Sequence, residues 1–181
     1  MSEQLFVLDG HNLIYRAYHA MSQADLRDSS GQPTGAVFGL LRMLLAMLEE
    51  YQPDYMVAAL DSEEPTFRHE FYEEYKEERP EMPDDLRAQI PQIRKLFEVL
   101  NIPTLIEPGF ECDDLIATLV EEYSSHSYLE IVIVSNDKDN FQLVNGGVRI
   151  LKQKQGLSDV EMLDSGGVEE ELGVPLRQVP D

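Results

Sequence analysis

The chain has 181 residues, of which 43% are hydrophobic, and 35 acidic side chains against 14 basic ones give a formal net charge of −21. This length and apolar content indicate one domain with a single core, and they argue against a disordered chain or a small disulfide scaffold. The one cysteine, Cys112, cannot form an internal disulfide, and no apolar run approaches the roughly 20 residues that cross a bilayer. We therefore expect a cytoplasmic protein with no membrane contact. Nucleic acid is a polyanion and usually binds to a basic surface. In a chain this acidic, we expect contact with nucleic acid only at a local site.

The expected elements alternate between strands and helices along the chain. Short apolar runs indicate buried strands, and apolar residues three and four positions apart indicate helices. In chain order we expect strand 5–8, helix 13–21, a helix from the cap Thr34 to just before Pro53, strand 55–60, helix 86–100 with a kink or restart at Pro91, strand 102–106, helix 111–123, strand 130–134, strand 148–151 and helix 168–172. Because each strand is apolar throughout, this order predicts an α/β fold with a mostly parallel central sheet and helices on both faces.

Residues 63–85 interrupt this alternation. The segment mixes glutamates with aromatic and basic residues, and it has prolines at positions 65, 80 and 83. This composition shows neither the period of a strand nor that of a core helix. We therefore interpret the segment as an insertion into the α/β domain.

Aspartates follow three of the expected strands. Asp9, Asp61 and Asp137 each come just after an apolar run, and Asp139 lies two residues beyond Asp137. One such aspartate is typical of a turn or a helix cap. Because the carboxyl ends of parallel strands meet at one edge of a sheet, three of them together predict a shared acidic crevice.

Four residues at the start of an expected helix, Glu111-Cys112-Asp113-Asp114, add further acids. Alone they indicate stabilisation of the helix dipole, which is worth about 0.3 to 1 kcal/mol for each acid. Glu111 and Asp114 share a helix face, so with Asp113 they can face the same crevice. Clustered carboxylates repel one another, and a divalent cation removes that conflict. Oxygen ligands select Mg²⁺ or Mn²⁺, and a cluster this rich predicts two ions about 4 Å apart, as in phosphodiester hydrolysis.

Five stretches carry a resemblance to a known family, in that family's order and spacing. They are LFVLDGHNLIYRAYHAM, GQPTGAVFGLLRMLL, PTFRHEFYEEYKEERPEMPDDLRAQIP, GFECDDLIATL and SNDKDNFQLV. The chain resembles the 5′ nuclease domain, flap endonuclease-like and PIN-like, at the N-terminus of bacterial DNA polymerase I and its stand-alone relatives. The resemblance implies one domain over residues 1–181 with a PIN-like, resolvase-like core. It also implies that the insertion at about 63–85 is a helical arch through or under which a single-stranded 5′ end passes.

The same resemblance implies roles for the acidic residues. The metal-liganding carboxylates are expected at Asp9, Asp61, Glu111, Asp113, Asp114, Asp137 and Asp139. Asp9, Asp61, Glu111 and Asp113 would hold the first ion with Asp114 nearby, and Asp137 and Asp139 lean toward the second. The arch is expected to supply Lys76 and Arg79, which with Asp9 and Asp113 form the implied catalytic set.

Substrate-binding residues are implied in the arch and in one core helix. Lys76 and Arg79 match the family's Tyr-Lys-x-x-Arg pattern and are expected to contact the scissile phosphate. Tyr72 or Tyr75 is expected to stack on an unpaired base. The remaining two positions are Arg68, which is also interpreted as a structural residue, and Arg16, an expected phosphate contact.

These observations predict a divalent-metal-dependent 5′-3′ exonuclease or flap endonuclease. Its substrate would be DNA with a single-stranded 5′ end or flap, and it would work in the cytoplasm at the nucleoid. In the family the next segment carries two further metal aspartates and a helix-three-turn-helix that grips duplex DNA. We therefore expect a fragment of a longer nuclease or polymerase, with a natural short relative as the other interpretation.

Two alternative functions stay open at this point. The first is a nucleic-acid-binding module with little or no activity, because the family's further metal ligands and duplex-binding motif are not in this sequence. The second is a phosphatase that forms an aspartyl-phosphate at Asp9. That chemistry normally places an acid two residues later, where this chain has His11.

Overall fold

The computed structural model of the chain describes residues 2–62, 64–72, 75, 81–154 and 159–178. These residues form a six-stranded sheet with the order β3-β2-β1-β4-β5-β6. The strands are β1 Glu3–Asp9, β2 Tyr55–Ala59, β3 Thr104–Leu105, β4 Leu129–Val134, β5 Val148–Gln153 and β6 Val160–Leu163. The first five strands in chain order run parallel, and β6 pairs antiparallel with β5.

Helices connect these strands on both faces of the sheet. They are α1 Gly10–Met21, α2 Gly35–Tyr51, α3 Phe67–Phe71, α4 Asp84–Arg87, α5 Ile90–Val99, α6 Cys112–Tyr123 and α7 Ser165–Leu172, with short 3₁₀ helices at Lys138–Leu143 and Leu176–Gln178. None of the helices in the described ranges is long and apolar enough to cross a membrane.

The sheet separates two hydrophobic clusters. Phe6 and Leu8 of β1 pack into a cluster built with α1, α2 and α5. Val7, between them in the strand, packs into the other cluster with α6 and the 3₁₀ helix at Lys138–Leu143. Successive residues of a strand point to opposite faces, so a strand buried on both sides must be apolar throughout. The expected mostly parallel sheet with helices on both faces is confirmed.

The register of the sheet brings the acidic positions to one edge. Asp9 at the end of β1 lies beside Ala59 of β2, and Leu8 lies beside Val134 of β4. Asp61 and Asp137 therefore leave the sheet on either side of Asp9. The connections diverge at β1, since β2 lies on one side of it and β4 on the other, which is where open α/β sheets form their crevice.

Among the differences from the expectation, three concern β6, the helix expected at 86–100 and the start of α1. β6 was not expected, because its four residues, VEML, alternate weakly and lie at the edge of the sheet. The expected helix 86–100 is two helices, and Pro91 lies in the first turn of the second, so the restart at Pro91 is confirmed. Helix α1 starts at Gly10, before the expected Leu13, because the Asp9 carboxylate accepts a hydrogen bond from the Asn12 backbone N–H and caps the helix.

The expected arch at about 63–85 is described only in part. Its first described element is α3, which is held to the loop before α6 by a hydrogen bond from Phe67 N to Gly109 O at 3.0 Å. Its last residues, Asp84 and Asp85, already belong to α4. The overall shape of the arch depends on residues outside the described ranges and stays a prediction.

Candidate functional site

Asp9 is the most buried acid at the carboxyl edge of the sheet, with 4% of its surface exposed. Its Oδ1 accepts the Asn12 backbone N–H at 3.0 Å, and its Oδ2 accepts the Ser135 hydroxyl at 2.6 Å. Among the described residues Asp9 has no cationic partner. Burial therefore raises the pKa of this carboxyl, even though the hydrogen bonds from Ser135 and Asn12 oppose the shift.

Asp113, in the first turn of α6, faces Asp9. Burial first, and then the charge of Asp9, raise the pKa of Asp113 to about 6. The charges of Asp137 and Asp61 act in the same direction, and a hydrogen bond from Asn140 Nδ2 at 3.1 Å opposes them. Acids that follow three different strands therefore act electrostatically on one helix residue, as the crevice argument predicts.

Asp61 lies two residues beyond β2 and is held from two sides. Its Oδ1 accepts the Cys112 backbone N–H at 2.7 Å, and its Oδ2 lies 3.2 Å from His11 Nδ1. The contact with His11 was not expected from the sequence. The His11 ring also packs against Tyr15, with ring centroids 4.9 Å apart, so it connects α1 to the acidic edge.

Asp137 and Asp139 lie at the turn that follows β4. The Asp137 carboxylate accepts the Asp139 backbone N–H at 3.1 Å, and Asp137 N donates to Ser135 Oγ at 2.9 Å. Asp137 acts on both Asp9 and Asp113 by its charge, whereas Asp139 is exposed. Asp137 therefore belongs to the crevice in this structure, and Asp139 lies at its solvent side.

Glu111 and Asp114 have partners of a different kind. Arg68 donates from both terminal nitrogens to the two Asp114 oxygens, at 2.7 and 2.8 Å, and it lies 3.7 Å from Glu111 Oε2. Glu111 N donates to Asp114 Oδ2 at 2.9 Å, and the Tyr75 hydroxyl donates to Glu111 Oε2 at 3.2 Å. The hydrogen bond with Asp114 raises the pKa of Arg68 further above its ordinary value. These two acids are thus compensated by residues of the insertion.

The donor set suits a hard divalent cation. Asp9, Asp61, Asp113 and Asp137 offer only carboxylate oxygens, which is the ligand type that Mg²⁺ and Mn²⁺ prefer. Burial first, and neighbouring carboxylates second, raise the pKa values of Asp9 and Asp113. No cation among the described residues pairs with either of them. Within the described ranges, however, no three acidic, histidine or cysteine side chains are close enough to enclose one ion. Neutral donors instead hydrogen-bond the two inner carboxylates, Asn12 N–H and the Ser135 hydroxyl at Asp9 and the Asn140 amide at Asp113.

Cys112 packs at the centre of this arrangement as a small core residue. It is buried, and its Sγ lies 3.3 Å from Ala59 O and 3.5 Å from Asp9 Oδ1. Burial and the neighbouring carboxylates raise the pKa of the thiol strongly, so the thiolate needed of a nucleophile is suppressed. Cys112 is therefore a core residue and not a nucleophile.

The basic and aromatic residues that are expected to bind substrate differ in burial and in hydrogen-bond partners. Arg16 of α1 has a buried Nε that finds no hydrogen-bond partner among the described residues, and burial lowers its pKa. Arg68 is engaged with Asp114, and Tyr75 with Glu111. Tyr72 is exposed at the end of α3. Lys76 and Arg79 lie outside the described residues, so their contacts stay predictions.

An open groove of about 810 Å³ borders Asp61. Its apolar walls come from α1, α5, the residue after β2 and Met82 before α4. Arg87 of α4 and Arg94 of α5 also line it. In a chain with only 14 basic residues, two arginines at one groove form a local exception to the acidic surface.

Several residues of the site were not identified from the sequence. They are His11, Asn12, Ser135, Asn140, Arg87 and Arg94. Ser135 directly follows the apolar run of β4, so the rule that identified Asp137 also applies to it. Asn140 lies in the same short motif. The groove arginines carry no such signal, because on a helix they have the pattern of an ordinary solvated face.

Comparisons with known proteins agree with this geometry. A family model described as the 5′-3′ exonuclease, N-terminal resolvase-like domain, matches residues 4–173. A 5′-3′ exonuclease of Aquifex aeolicus is 37% identical over 177 residues, which cover 98% of this chain and 59% of the relative. DNA polymerase I of Mycobacterium tuberculosis is also 37% identical over 177 residues, but the match covers only 20% of that protein. The chain thus spans about a fifth of its polymerase relatives.

A solved structure shows the same fold at lower identity. It is the bacteriophage T5 flap endonuclease in a pseudo-enzyme-product complex with DNA and metal ions. The match has a TM-score of 0.68 and 19% sequence identity, and it covers 98% of this chain and 64% of the phage protein. The six-stranded sheet and its flanking helices are therefore those of a known group of α/β proteins.

Proposed function

Because the chain belongs to the 5′-3′ exonuclease N-terminal, resolvase-like domain family, we propose that it is a divalent-metal-dependent 5′-3′ exonuclease or flap endonuclease. It would hydrolyse phosphodiester bonds of DNA at 5′ flaps or 5′ ends. The observation that carries this proposal is the meeting of Asp9, Asp61, Asp113 and Asp137 at one edge of the sheet. Their charges act on one another, and the described residues provide no cation that neutralises Asp9 or Asp113.

We assign the cation ligands from this geometry. Asp9, Asp61, Asp113 and Asp137 form the inner set, and Glu111 and Asp139 stand at its border, where Asp139 leans toward a second ion. Asp114 is the remaining candidate, and its two oxygens are engaged by Arg68. When bound, two Mg²⁺ or Mn²⁺ ions would activate water and neutralise the charge that develops on the departing oxygen.

The protein's own residues would orient the substrate. Arg16 has an unsatisfied buried Nε, so it is suited to a phosphate oxygen that enters the crevice. Lys76 and Arg79 are proposed to contact the scissile phosphate, and as cations they would stabilise the developing negative charge. Tyr72 and Tyr75 are proposed contacts of unpaired bases. Asp9 caps α1 through Asn12 N–H, accepts the Ser135 hydroxyl and contacts the Cys112 thiol. We propose that this carboxylate, held by three groups, orients a cation and does not attack substrate as a phosphatase nucleophile.

The wider setting follows from the relatives. The polymerase relatives carry a matching segment within a much longer protein. We propose that this chain acts on DNA with a single-stranded 5′ end, with a polymerase domain as partner where one is attached. A cytoplasmic place of action, at the nucleoid, belongs to the same proposal.

A nucleic-acid-binding module is the second candidate function. It is favoured by one observation, which is that no three ligand side chains in the described part of the chain already enclose a cation position. On this reading the carboxylates stay with their protein donors, and DNA is bound without hydrolysis.

The test is cleavage of a 5′-labelled flap substrate in Mg²⁺ and in Mn²⁺ at low salt. Asp113→Asn keeps the shape of the side chain and removes its charge, and we expect it to abolish cleavage. Glu122→Gln is the matched control, because it removes one charge from an exposed position of the same helix. Flap binding in Ca²⁺ without turnover in either active metal would instead favour the binding module, and equal cleavage by Asp113→Asn would contradict the assignment of the acids.

A further inference from the structure

Three phenylalanines lie on the surface beside the acidic edge. Phe67 begins α3, Phe71 ends it, and Phe110 precedes Glu111, the N-cap residue of α6. These residues are 38%, 85% and 46% exposed, respectively. Large apolar side chains grouped in water are typical of a binding surface. We call Phe67, Phe71 and Phe110 the phenylalanine cluster.

The cluster has a defined arrangement. The rings of Phe67 and Phe110 have centroids 5.8 Å apart and are tilted by 56°. The backbone hydrogen bond from Phe67 N to Gly109 O, at 3.0 Å, ties α3 to the loop that carries Phe110. Phe71 is four residues after Phe67, so it lies on the same face of the helix. The cluster therefore presents two neighbouring rings, Phe67 and Phe110, and a third ring one helical turn further along α3.

The cluster is connected to the acidic edge through Arg68. The guanidinium carbon of Arg68 lies 4.7 Å from the centroid of the Phe67 ring. The same guanidinium donates two hydrogen bonds to Asp114, in the first turn of α6 next to Asp113. The Arg68 guanidinium therefore lies between the phenylalanine cluster and the first turn of α6. That turn also carries Asp113, one of the residues to which we assign phosphodiester hydrolysis.

The chemistry of this surface suits an unpaired nucleobase. Bases are flat and have apolar faces, and they stack on aromatic side chains without a sequence requirement. A neutral aromatic surface beside an arginine is also one of the few places where a chain of net charge −21 can receive a polyanion. A purely structural role explains the contact between Phe67 and Phe110, but it leaves the 85% exposure of Phe71 without a reason.

We propose that the phenylalanine cluster stacks on an unpaired base of the DNA strand whose phosphodiester is cut, next to the scissile bond. This inference rests on the nuclease function proposed above and names one of its substrate contacts. It differs from the stacking expected of Tyr72 and Tyr75, because its residues lie at the base of the insertion and in the loop before α6.

The first experiment measures binding of a fluorescein-labelled flap oligonucleotide in Ca²⁺, by anisotropy at low salt. One variant combines Phe67→Leu with Phe110→Leu, which keeps apolar volume between α3 and the loop and removes the flat rings. A second variant is Phe71→Ala. Each is expected to weaken binding by a factor between about 5 and about 150, because stacking on one base is worth roughly 1 to 3 kcal/mol. The control is Tyr128→Ala, which removes a 58% exposed ring before β4 at the opposite edge of the sheet.

The second experiment uses a set of flaps, each with a single abasic nucleotide at a different position along the 5′ arm. At one position the abasic site should weaken wild-type binding to the level of the leucine variant. At that position the variant should bind the abasic and the intact flap equally, because the base that it no longer stacks is absent. Melting curves of all variants, measured in the same buffer, separate this effect from loss of folding.

Three results would contradict the inference, and they separate it from the function itself. Variants that bind as the wild type does overturn the stacking role. Folded variants whose binding is weakened by the same factor on every abasic substrate also overturn the stacking role, since that pattern indicates a structural role. In both cases wild-type cleavage in Mg²⁺ leaves the nuclease function standing. A folded wild type that neither binds nor cleaves the flap overturns both proposals.

Discussion

Two pairs of acids in the same crevice have opposite surroundings. The inner pair, Asp9 and Asp113, has raised pKa values and is hydrogen-bonded only by neutral groups in the described part of the chain. The outer pair, Glu111 and Asp114, contacts Arg68 and Tyr75 of the insertion. Asp113 and Asp114 are neighbours in sequence, yet one carries uncompensated charge and the other an ion pair.

This difference shows that the first turn of one helix can present acids to two different surroundings. Consecutive residues of a helix point about 100° apart, so one turn of α6 faces both the sheet edge and the insertion. In our proposal the acids toward the sheet edge keep their charge for a cation, whereas Asp114, toward the insertion, binds Arg68 of α3. The following predictions test that division, beginning with the largest expected effect.

Removal of inner-pair charge should affect catalysis far more than removal of outer-pair charge. Asp9→Asn is expected to lower cleavage by about 10³-fold, because several kcal/mol of transition-state stabilisation depend on a bound cation. Asp114→Asn is expected to lower it by roughly 10- to 100-fold, as is typical of residues that only orient ligands. Single-turnover cleavage in Mg²⁺ measures both. Equal losses for the two variants would contradict the division.

Arg68 should matter more for stability than any other residue of the insertion that the structure describes. Arg68→Ala removes the ion pairs that Arg68 makes with Glu111 and Asp114, and a half-buried pair broken on one side is expected to cost about 1 to 2 kcal/mol of unfolding free energy. Urea unfolding measures the loss. In the double variant Arg68→Ala/Asp114→Ala, part of the loss should be recovered because the acid that forms the two hydrogen bonds with Arg68 is also gone. A double variant whose loss is the sum of the two single losses would show that the residues do not interact.

The pH dependence of stability should report the uncompensated charge of Asp113. The pKa of Asp113 is raised from 3.8 to about 6 in the folded state, so its contribution to stability is fully present below pH 3.8 and is lost as pH rises through about 6. Compared with Asp113→Asn, the metal-free wild type is therefore expected to lose about 1 kcal/mol between pH 4 and pH 7, after allowance for solvent screening. Urea unfolding of both proteins across this range, with EDTA present, gives the difference. A difference independent of pH would contradict the raised pKa.

The smallest effect is expected at Cys112. Cys112→Ala removes one buried sulfur that touches Asp9 and Ala59, and the expected cost is below about 1 kcal/mol. The Cys112 backbone N–H still holds Asp61, so cleavage should be nearly unchanged. Native wild-type protein should react slowly with a thiol reagent, because the thiol is buried and its pKa is raised. Fast labelling of the folded protein would indicate that the crevice opens to solvent.

Much of the fold was predictable because it rests on local periodicity. The apolar runs of β1, β2 and β4 can only be strands buried on both faces, and the spacing of apolar residues in α2 fits a single helix face. The antiparallel β6 was missed, because a short edge strand with a weak alternation has no local signal. The division of α4 from α5 was only partly visible, through Pro91.

The acids of the site were predictable for a similar reason. A residue that follows a parallel strand lies at the carboxyl edge of the sheet whatever the details of packing, so Asp9, Asp61 and Asp137 could be identified from position alone. Their individual partners could not. His11 approaches Asp61, and Ser135 approaches Asp9, across 50 and 126 positions of sequence respectively. No pattern in the sequence encodes such contacts.

The sequence by itself determined the type of fold, the set of acids and the family, since these follow from periodicity, from position after a strand and from motifs in order. The tertiary structure alone decided which acids are compensated. Arg68 reaches Asp114 across 46 positions of sequence, and this one ion pair separates the outer pair from the inner pair. The physical reason is that a carboxylate's charge depends on what lies within a few ångströms of it, and only the folded chain sets those distances.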